Sequence, residues 1–317
     1  MPHSPEVLVP SQLGEKTRLD RFTILLLITT LAMLVLVEAI SFAWFDRTSR
    51  VQSRELAQRR ELLSVRDASS GRNPHLAVTG NSLLLEGVDV PALADSLHKV
   101  IPVPYFVLGT EYFDWYFGLK RLFAEGTRPR YIVLGLSPNQ LTSFYTRGNY
   151  SARYLFQQSD LLEVARRTHM DPTSASGFFL AHFSEFYSTR DVTRGFLMNR
   201  MLPSVAQLLH SRLSSPRQPT VTEALLRQLA PDRVSALSEL CRASGSRLML
   251  AVPPTYEKGA GIIAEIGNSL GVPVLVPVPD GEFDSSCYQA DGFHMNDKGA
   301  RIFTSRLATQ LNYELLK

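Results

Sequence analysis

Two short motifs, far apart in the chain, carry the residue types needed for nucleophilic chemistry. Near the C-terminus, Asp291-Gly292-Phe293-His294 sets an acid and an imidazole three residues apart. The stretch runs on through Asn296, Lys298 and Gly299 into an apolar-periodic helix. Far upstream, Val78-Thr79-Gly80-Asn81-Ser82 follows an apolar run and opens another helix. Together they supply a hydroxyl nucleophile, a general base, and a carboxylate to hold the base's tautomer. Chain order is immaterial to that chemistry, because geometry alone defines it. The expectation is that folding brings Ser82 to His294, with Asp291 behind the ring. Gly-Asn-Ser or Asp-x-x-His by itself is common. Both in one chain, each at the edge of a predicted element, carry more weight.

The elements that must position these groups alternate between strand and helix. His75 to Thr79 reads as a strand, Ala92 to Lys99 as a helix, and Pro104 to Leu108 as a strand ending at Gly109. A helix from about Glu111 to Glu125 follows, with Tyr112, Phe113, Trp115, Tyr116 and Phe117 as a packing face. Tyr131 to Leu136 is the next strand. The alternation resumes with a helix at Asp232–Ser244, a strand at Arg247–Val252, a helix at Gly261–Leu270, a strand at Pro273–Val276 and a last helix at Lys298–Tyr313. Such alternation implies right-handed crossovers and a parallel sheet. Between about 140 and 230 the pattern is helical, aromatic and Arg-rich, broken at Asp171-Pro172, Pro203 and Ser214-Ser215-Pro216. This reads as a helical insertion.

Active groups in open parallel sheets gather beyond the carboxyl ends of the strands. Ser82, Gly109 and the Ser137-Pro138-Asn139 turn each follow a predicted strand end. An oxyanion there would be met by the Ser82 and Gly109 N–H groups and the Asn139 amide.

These residues resemble the blocks of the SGNH (GDSL-like) hydrolase superfamily. Gly80-Asn81-Ser82 is similar to its first block, Gly109 to the second-block glycine, Asn139 to the third-block asparagine, and Asp291–His294 to the fifth block. The resemblance covers roughly 75–140 and 230–317. Asn81 stands where the family usually has Asp, and Leu134–Asn139 lacks the usual Gly-x-Asn spacing, which leaves Ser137 as an alternative at that position. The resemblance implies a three-layer α/β/α fold and Ser-His-Asp acyl chemistry. No nucleotide loop, metal set or flavin fingerprint is present in the sequence, so no cofactor is expected.

Outside it, Phe22 to Phe45 is apolar with a single charged residue, Glu38. At about 1.5 Å per residue it reaches across the roughly 30 Å hydrocarbon layer of a membrane. Bulky Phe42, Trp44 and Phe45 at its end oppose cleavage as a signal peptide. The chain divides into a tail (1–21), a transmembrane helix (22–45), a charged juxtamembrane stalk (46–70) and a catalytic domain (71–317). Arg47, Arg50, Arg54, Arg59 and Arg60 after the span outnumber the basic residues before it. By charge alone the body would lie in the cytoplasm, although long translocated domains override that bias. An ionisable Glu38 in the span either faces a partner or wet cavity or snorkels toward the interface.

The net charge of +3 and the absence of an aromatic-basic array give no support to nucleic-acid binding. Cys241 and Cys287 are the only cysteines, so there is neither a CxxC motif nor a disulfide scaffold, and a single bond between them is left open. His98, His169, His182 and His210 are scattered with no metal-ligand spacing, and His182 sits in an ordinary helical run.

Three functions fit. The resemblance to anchored members of the superfamily implies an inner (cytoplasmic) membrane protein with an extracytoplasmic catalytic domain. Such a protein would work beside a multi-spanning membrane O-acyltransferase and acylate a carbohydrate acceptor of the cell envelope through Ser82. An anchored O-acetyl esterase or lipase would use the same acyl-enzyme with water as acceptor. A non-catalytic assembly subunit would keep the fold alone.

Overall fold

The computed structural model describes residues 20–67, 73–202 and 221–317. The N-terminal tail up to residue 19, the end of the juxtamembrane segment at 68–70, and the breaks at Pro203 and Ser214–Pro216 lie outside the described residues. Five strands, β1 (His75–Gly80), β2 (Ile101–Phe106), β3 (Tyr131–Gly135), β4 (Arg247–Ala251) and β5 (Val274–Leu275), form one parallel sheet in the order β2-β1-β3-β4-β5.

Helices α1 (Arg21–Thr48) and α2 (Arg50–Ser64) precede the sheet. Helices α3 (Ser82–Gly87) and α4 (Val90–Ser96) connect β1 to β2, and α5 (Tyr112–Ala124) connects β2 to β3. The insertion contains α6 (Pro138–Thr142), α7 (Asn149–Tyr154), α8 (Leu161–Arg167), α9 (Pro172–Phe183) and α10 (Glu185–Met201). Then α11 (Glu223–Ala243) leads into β4, α12 (Ala260–Leu270) into β5, and α13 (Asp297–Glu314) closes the chain.

Successive strand residues face opposite sides of a sheet, and here each side has its own core. Ala77, Val103, Ile132, Leu134, Leu248 and Leu250 pack with residues of α5, α11 and α12. Leu76, Val78, Val133 and Met249 pack with α3, α4 and α13. The fold is α/β, with helical layers on both faces of a parallel sheet. The aromatic run on α5 is the expected packing face, with Tyr112, Phe113, Trp115 and Phe117 all buried. Cys241 and Cys287 are both buried and both free.

Strand β2 begins three residues earlier than its sequence suggested, at Ile101 in place of Pro104. It carries Pro102 and Pro104, and it is the edge of the sheet. The Ile101 and Val107 N–H groups bond the Pro74 and Gly80 carbonyls on the β1 side, at 3.0 and 2.9 Å. Alternation sends the even positions outward, so the prolines stand where a ladder donor would have no strand to meet.

The two outward N–H groups that follow are taken by α2. Phe106 donates to Gln58 Oε1 and Leu108 to Glu55 Oε1, each at 3.0 Å. The segment expected to be a free stalk therefore lies along the sheet edge and covers it, as an edge strand requires. Helix α11 also starts earlier than expected, at Glu223, and runs through Pro231. An interior proline costs about 3 kcal/mol, but Leu226, Ala230, Val234, Leu237 and Cys241 make one continuous buried face across it.

In the insertion, α9 and α10 meet at Ser184 and fold back on each other. A Cβ added at Gly177 of α9 would lie 2.7 Å from the Tyr187 hydroxyl of α10.

Candidate active site

Ser82 opens α3 directly after β1, and Asn81 fixes that junction. The buried Asn81 side chain accepts the Leu83 N–H at 3.0 Å as an N-cap, and its amide donates to the Thr110 carbonyl, also at 3.0 Å. One side chain thus closes the start of α3 and ties it to the turn after β2. In that turn Gly109 has φ +66°, a left-handed conformation that glycine adopts without strain. Among the described residues, no acceptor meets the Ser82 or Gly109 backbone N–H.

The opposite side of the site is a small self-bonded loop. Asp291 Oδ1 accepts the N–H groups of Phe293 and His294 at 2.9 and 3.0 Å, and Gly292 turns the chain with φ +68°. Asn296 then caps α13 by accepting from Lys298 and Gly299. Its amide donates to the carbonyls of Ser286 and Tyr288. This fixes the loop on the helix that packs beneath α3 and α4.

The two halves meet in a hydrogen-bonded row. The tautomer that satisfies both ring nitrogens has Nδ1–H of His294 donating to Asp291 Oδ2 at 2.6 Å, while Nε2 accepts the Ser82 hydroxyl at 3.0 Å. Partial burial acts to raise the Asp291 pKa, but hydrogen bonds from the His294 ring and from the Phe293 and His294 N–H groups outweigh it. The carboxyl is held below its usual value.

Asn139 lies on α6, after β3. Its N–H donates to Glu257 at 3.1 Å, and its side chain also bonds that carboxyl. Ser137 caps α6, accepting from Gln140, and its hydroxyl likewise bonds Glu257. Both third-block candidates therefore hang on Glu257, which sequence reading did not single out. Burial raises the Glu257 pKa, against the hydrogen bonds from Asn139 and Ser137. Beside it Tyr256 packs on Phe293, ring centres 5.9 Å apart, and Phe293 meets the His294 ring edge-on at 5.1 Å. No sequence motif marks Tyr256 or Glu257; the loop after β4 becomes relevant only once the strand order is known.

A second supporting layer also escaped the sequence. Glu55 of α2 is buried and accepts from Leu108, from Arg147 Nη1 at 3.0 Å and from the Tyr150 hydroxyl. Asp114 accepts the N–H groups of Arg147 and Glu111. Arg147 also approaches Gly109, since a Cβ there would lie 3.9 Å from its Cγ. A cavity of about 590 Å³ opens between the 144–149 loop and the α9–α10 hairpin, with Arg147, His169 and Arg190 in its wall; Ser82, Asp291 and His294 do not line it.

Two of the remaining histidines have structural surroundings: His182 Nδ1 bonds the Ala152 carbonyl and His169 lies against Phe144. His210 lies outside the described residues.

No protein-family model and no curated protein matches the chain. Among solved structures, the crystal structure of TesA is similar at 13% sequence identity and a TM-score of 0.37, over 75% of this chain and 98% of that one.

Proposed function

We propose that the chain is a membrane-anchored serine acyltransferase of SGNH type, which acylates a hydroxyl of a cell-envelope polysaccharide. The observation that carries this reading is the unbroken row from Ser82 through His294 to Asp291. In the proposed reaction, the Ser82 oxygen attacks the acyl carbonyl of a donor while its proton passes to His294 Nε2. The Ser82 and Gly109 N–H groups meet the oxyanion, with Asn139 as the third-block amide. The donor's leaving group takes the proton from His294, and the acyl group stays as an ester on Ser82. An acceptor hydroxyl then gives its proton to His294 and attacks that ester; the C–O bond to Ser82 breaks and the Ser82 oxygen takes that proton back from His294. Tyr256 and Phe293 supply an aromatic surface beside the imidazole for a sugar ring.

Support for a retained anchor comes from α1. Residues Arg21–Ala43 are long and apolar enough to cross a membrane. Within that span, Glu38 accepts from the Ser184 hydroxyl at 2.9 Å and from the Glu185 and Phe186 N–H groups. Cleavage after the span would strip those three donors of their acceptor. A multi-spanning acyltransferase as membrane partner, and an extracytoplasmic body, belong to the same proposal through the family resemblance.

One observation favours an esterase instead. The Asp291 side chain is 46% exposed, so water has open access to the site. The full chain in detergent, given p-nitrophenyl acetate with and without a glycan acceptor, separates the two. Turnover that rises with acceptor, together with loss of envelope acetylation in cells carrying Ser82→Ala, is the expected result. Acetylation unchanged by Ser82→Ala would overturn the transferase reading.

A further inference from the structure

The carboxylate of Glu38 fixes a height on the apolar helix. It lies five residues before Ala43, where the membrane-length stretch ends, which is about 7.5 Å along a helix. Its three donors belong to Ser184, Glu185 and Phe186, the tip of the α9–α10 hairpin. The tip is therefore held at the same height as Glu38, inside the apolar stretch and not beyond its end.

What the tip presents is apolar. Leu180 and Phe183, one turn apart on α9, and Phe186 in the first turn of α10 are 51%, 58% and 47% exposed. The other end of α9 is polar, with Asp171 capping Thr173 and Ser174. The backbone donors at the tip, which would be costly in hydrocarbon if unmet, are the ones Glu38 accepts. The Glu185 side chain turns the other way, to Arg153 Nε at 3.1 Å and to the Tyr154 hydroxyl. Tyr154 in turn accepts from Gln52 of α2 at 2.6 Å. The hairpin is thus bonded to α1 and, through Tyr154, to α2, so its height relative to the span is fixed by several side chains.

We infer that the α9–α10 tip is a second membrane contact, a wedge in which Leu180, Phe183 and Phe186 enter the lipid at the boundary between headgroups and acyl chains. The depth of about 7.5 Å falls within the roughly 5–10 Å at which interfacial helices seat their apolar face. The inference rests on the reading of α1 as a membrane anchor. Two attachments in place of one stop the body from swinging on its helix and hold it at one tilt over the bilayer.

The test uses the full chain in phosphatidylcholine–phosphatidylglycerol nanodiscs, with an environment-sensitive fluorophore on single introduced cysteines. The positions are Phe183→Cys, Leu180→Cys, Met33→Cys within the span and Tyr313→Cys on the body. The native Cys241 and Cys287 are buried, and unlabelled wild type sets the background. Circular dichroism melts show that each variant is folded. Lipids carrying a nitroxide near the headgroup are expected to quench emission at 183 and 180 while leaving 313 bright, with Met33 quenched by a nitroxide deeper in the chain. Quenching at Met33 with 180 and 183 as bright as 313 would overturn the wedge and leave the anchor standing. No quenching at Met33 would remove the anchor, and the wedge with it.

Discussion

Glu55 accepts the backbone N–H of Leu108 at 3.0 Å, so a helix that directly follows the apolar segment grips the residue before Gly109. The same carboxylate binds Arg147 and the Tyr150 hydroxyl. Edge protection and site positioning thus fall to one side chain. Removing one partner of a buried ion pair typically costs about 3–5 kcal/mol, because the other charge is left uncompensated. Glu55→Ala is expected to lose stability in that range and to slow acylation of Ser82, whereas Glu55→Gln retains more of both. Denaturant melts and labelling rates of the two variants measure this. A Glu55→Ala protein of wild-type stability would show that this carboxylate does not hold the sheet edge.

Asn81 has two tasks that substitution can separate. Asp at this position still accepts the Leu83 N–H but has no donor for the Thr110 carbonyl. Asn81→Asp is therefore expected to keep the start of α3 while freeing the Gly109 turn, at a cost of about 1–3 kcal/mol for the unmet buried carbonyl. Slower Ser82 acylation should accompany the loss. The pair of variants Asn81→Asp and Asn81→Ala, compared by thermal melts and labelling rates, checks both parts.

Burial raises the Asp114 carboxyl to about 7 from the usual 3.8, against hydrogen bonds from the Glu111 and Arg147 N–H groups. The folded value lies above the unfolded one, so the folded state holds this proton to higher pH. The stabilising contribution is full below about pH 4 and is lost as the pH rises through 7. Within that window each pH unit removes up to about 1.4 kcal/mol. Asp114→Asn abolishes the titration. The stability of wild type relative to Asp114→Asn should fall between pH 4 and 7, and parallel profiles would refute the assignment.

Much of the fold was legible because apolar runs with period two or near 3.6 directly encode strands and helices. Ser82, Asp291 and His294 were legible because each sits in a short motif at an element boundary. Glu55, Glu257 and Asp114 were not. Each is an isolated carboxylate whose meaning arises from a chain segment more than thirty residues away, apart from Asp114's local cap of Glu111. Two element starts were placed too late, each beside a proline: β2 carries Pro102 as well as Pro104, and α11 runs through Pro231. In each case the tertiary setting cancelled a local penalty. Glu38 raised the right question in the sequence, and its answer, the N-terminus of α10, lies 147 residues along the chain.

Asp291 holds the imidazole through Nδ1 at 2.6 Å. Asp291→Asn presents an amide whose donor side favours the wrong tautomer, and the rate of Ser82 acylation should drop by roughly 10²–10⁴. Stability should change little, since the Asp291 side chain is nearly half exposed. A rate within a few-fold of wild type would show that the carboxylate does not orient the base.

Reaction of the full-length protein with a fluorophosphonate, read by mass spectrometry, tests most directly whether the Ser82 hydroxyl is activated by His294. A single adduct on the peptide carrying Ser82 is expected, lost in Ser82→Ala and in His294→Ala while both variants melt as wild type does. An unlabelled Ser82 in folded protein, or labelling that survives His294→Ala, would show that His294 does not activate this hydroxyl.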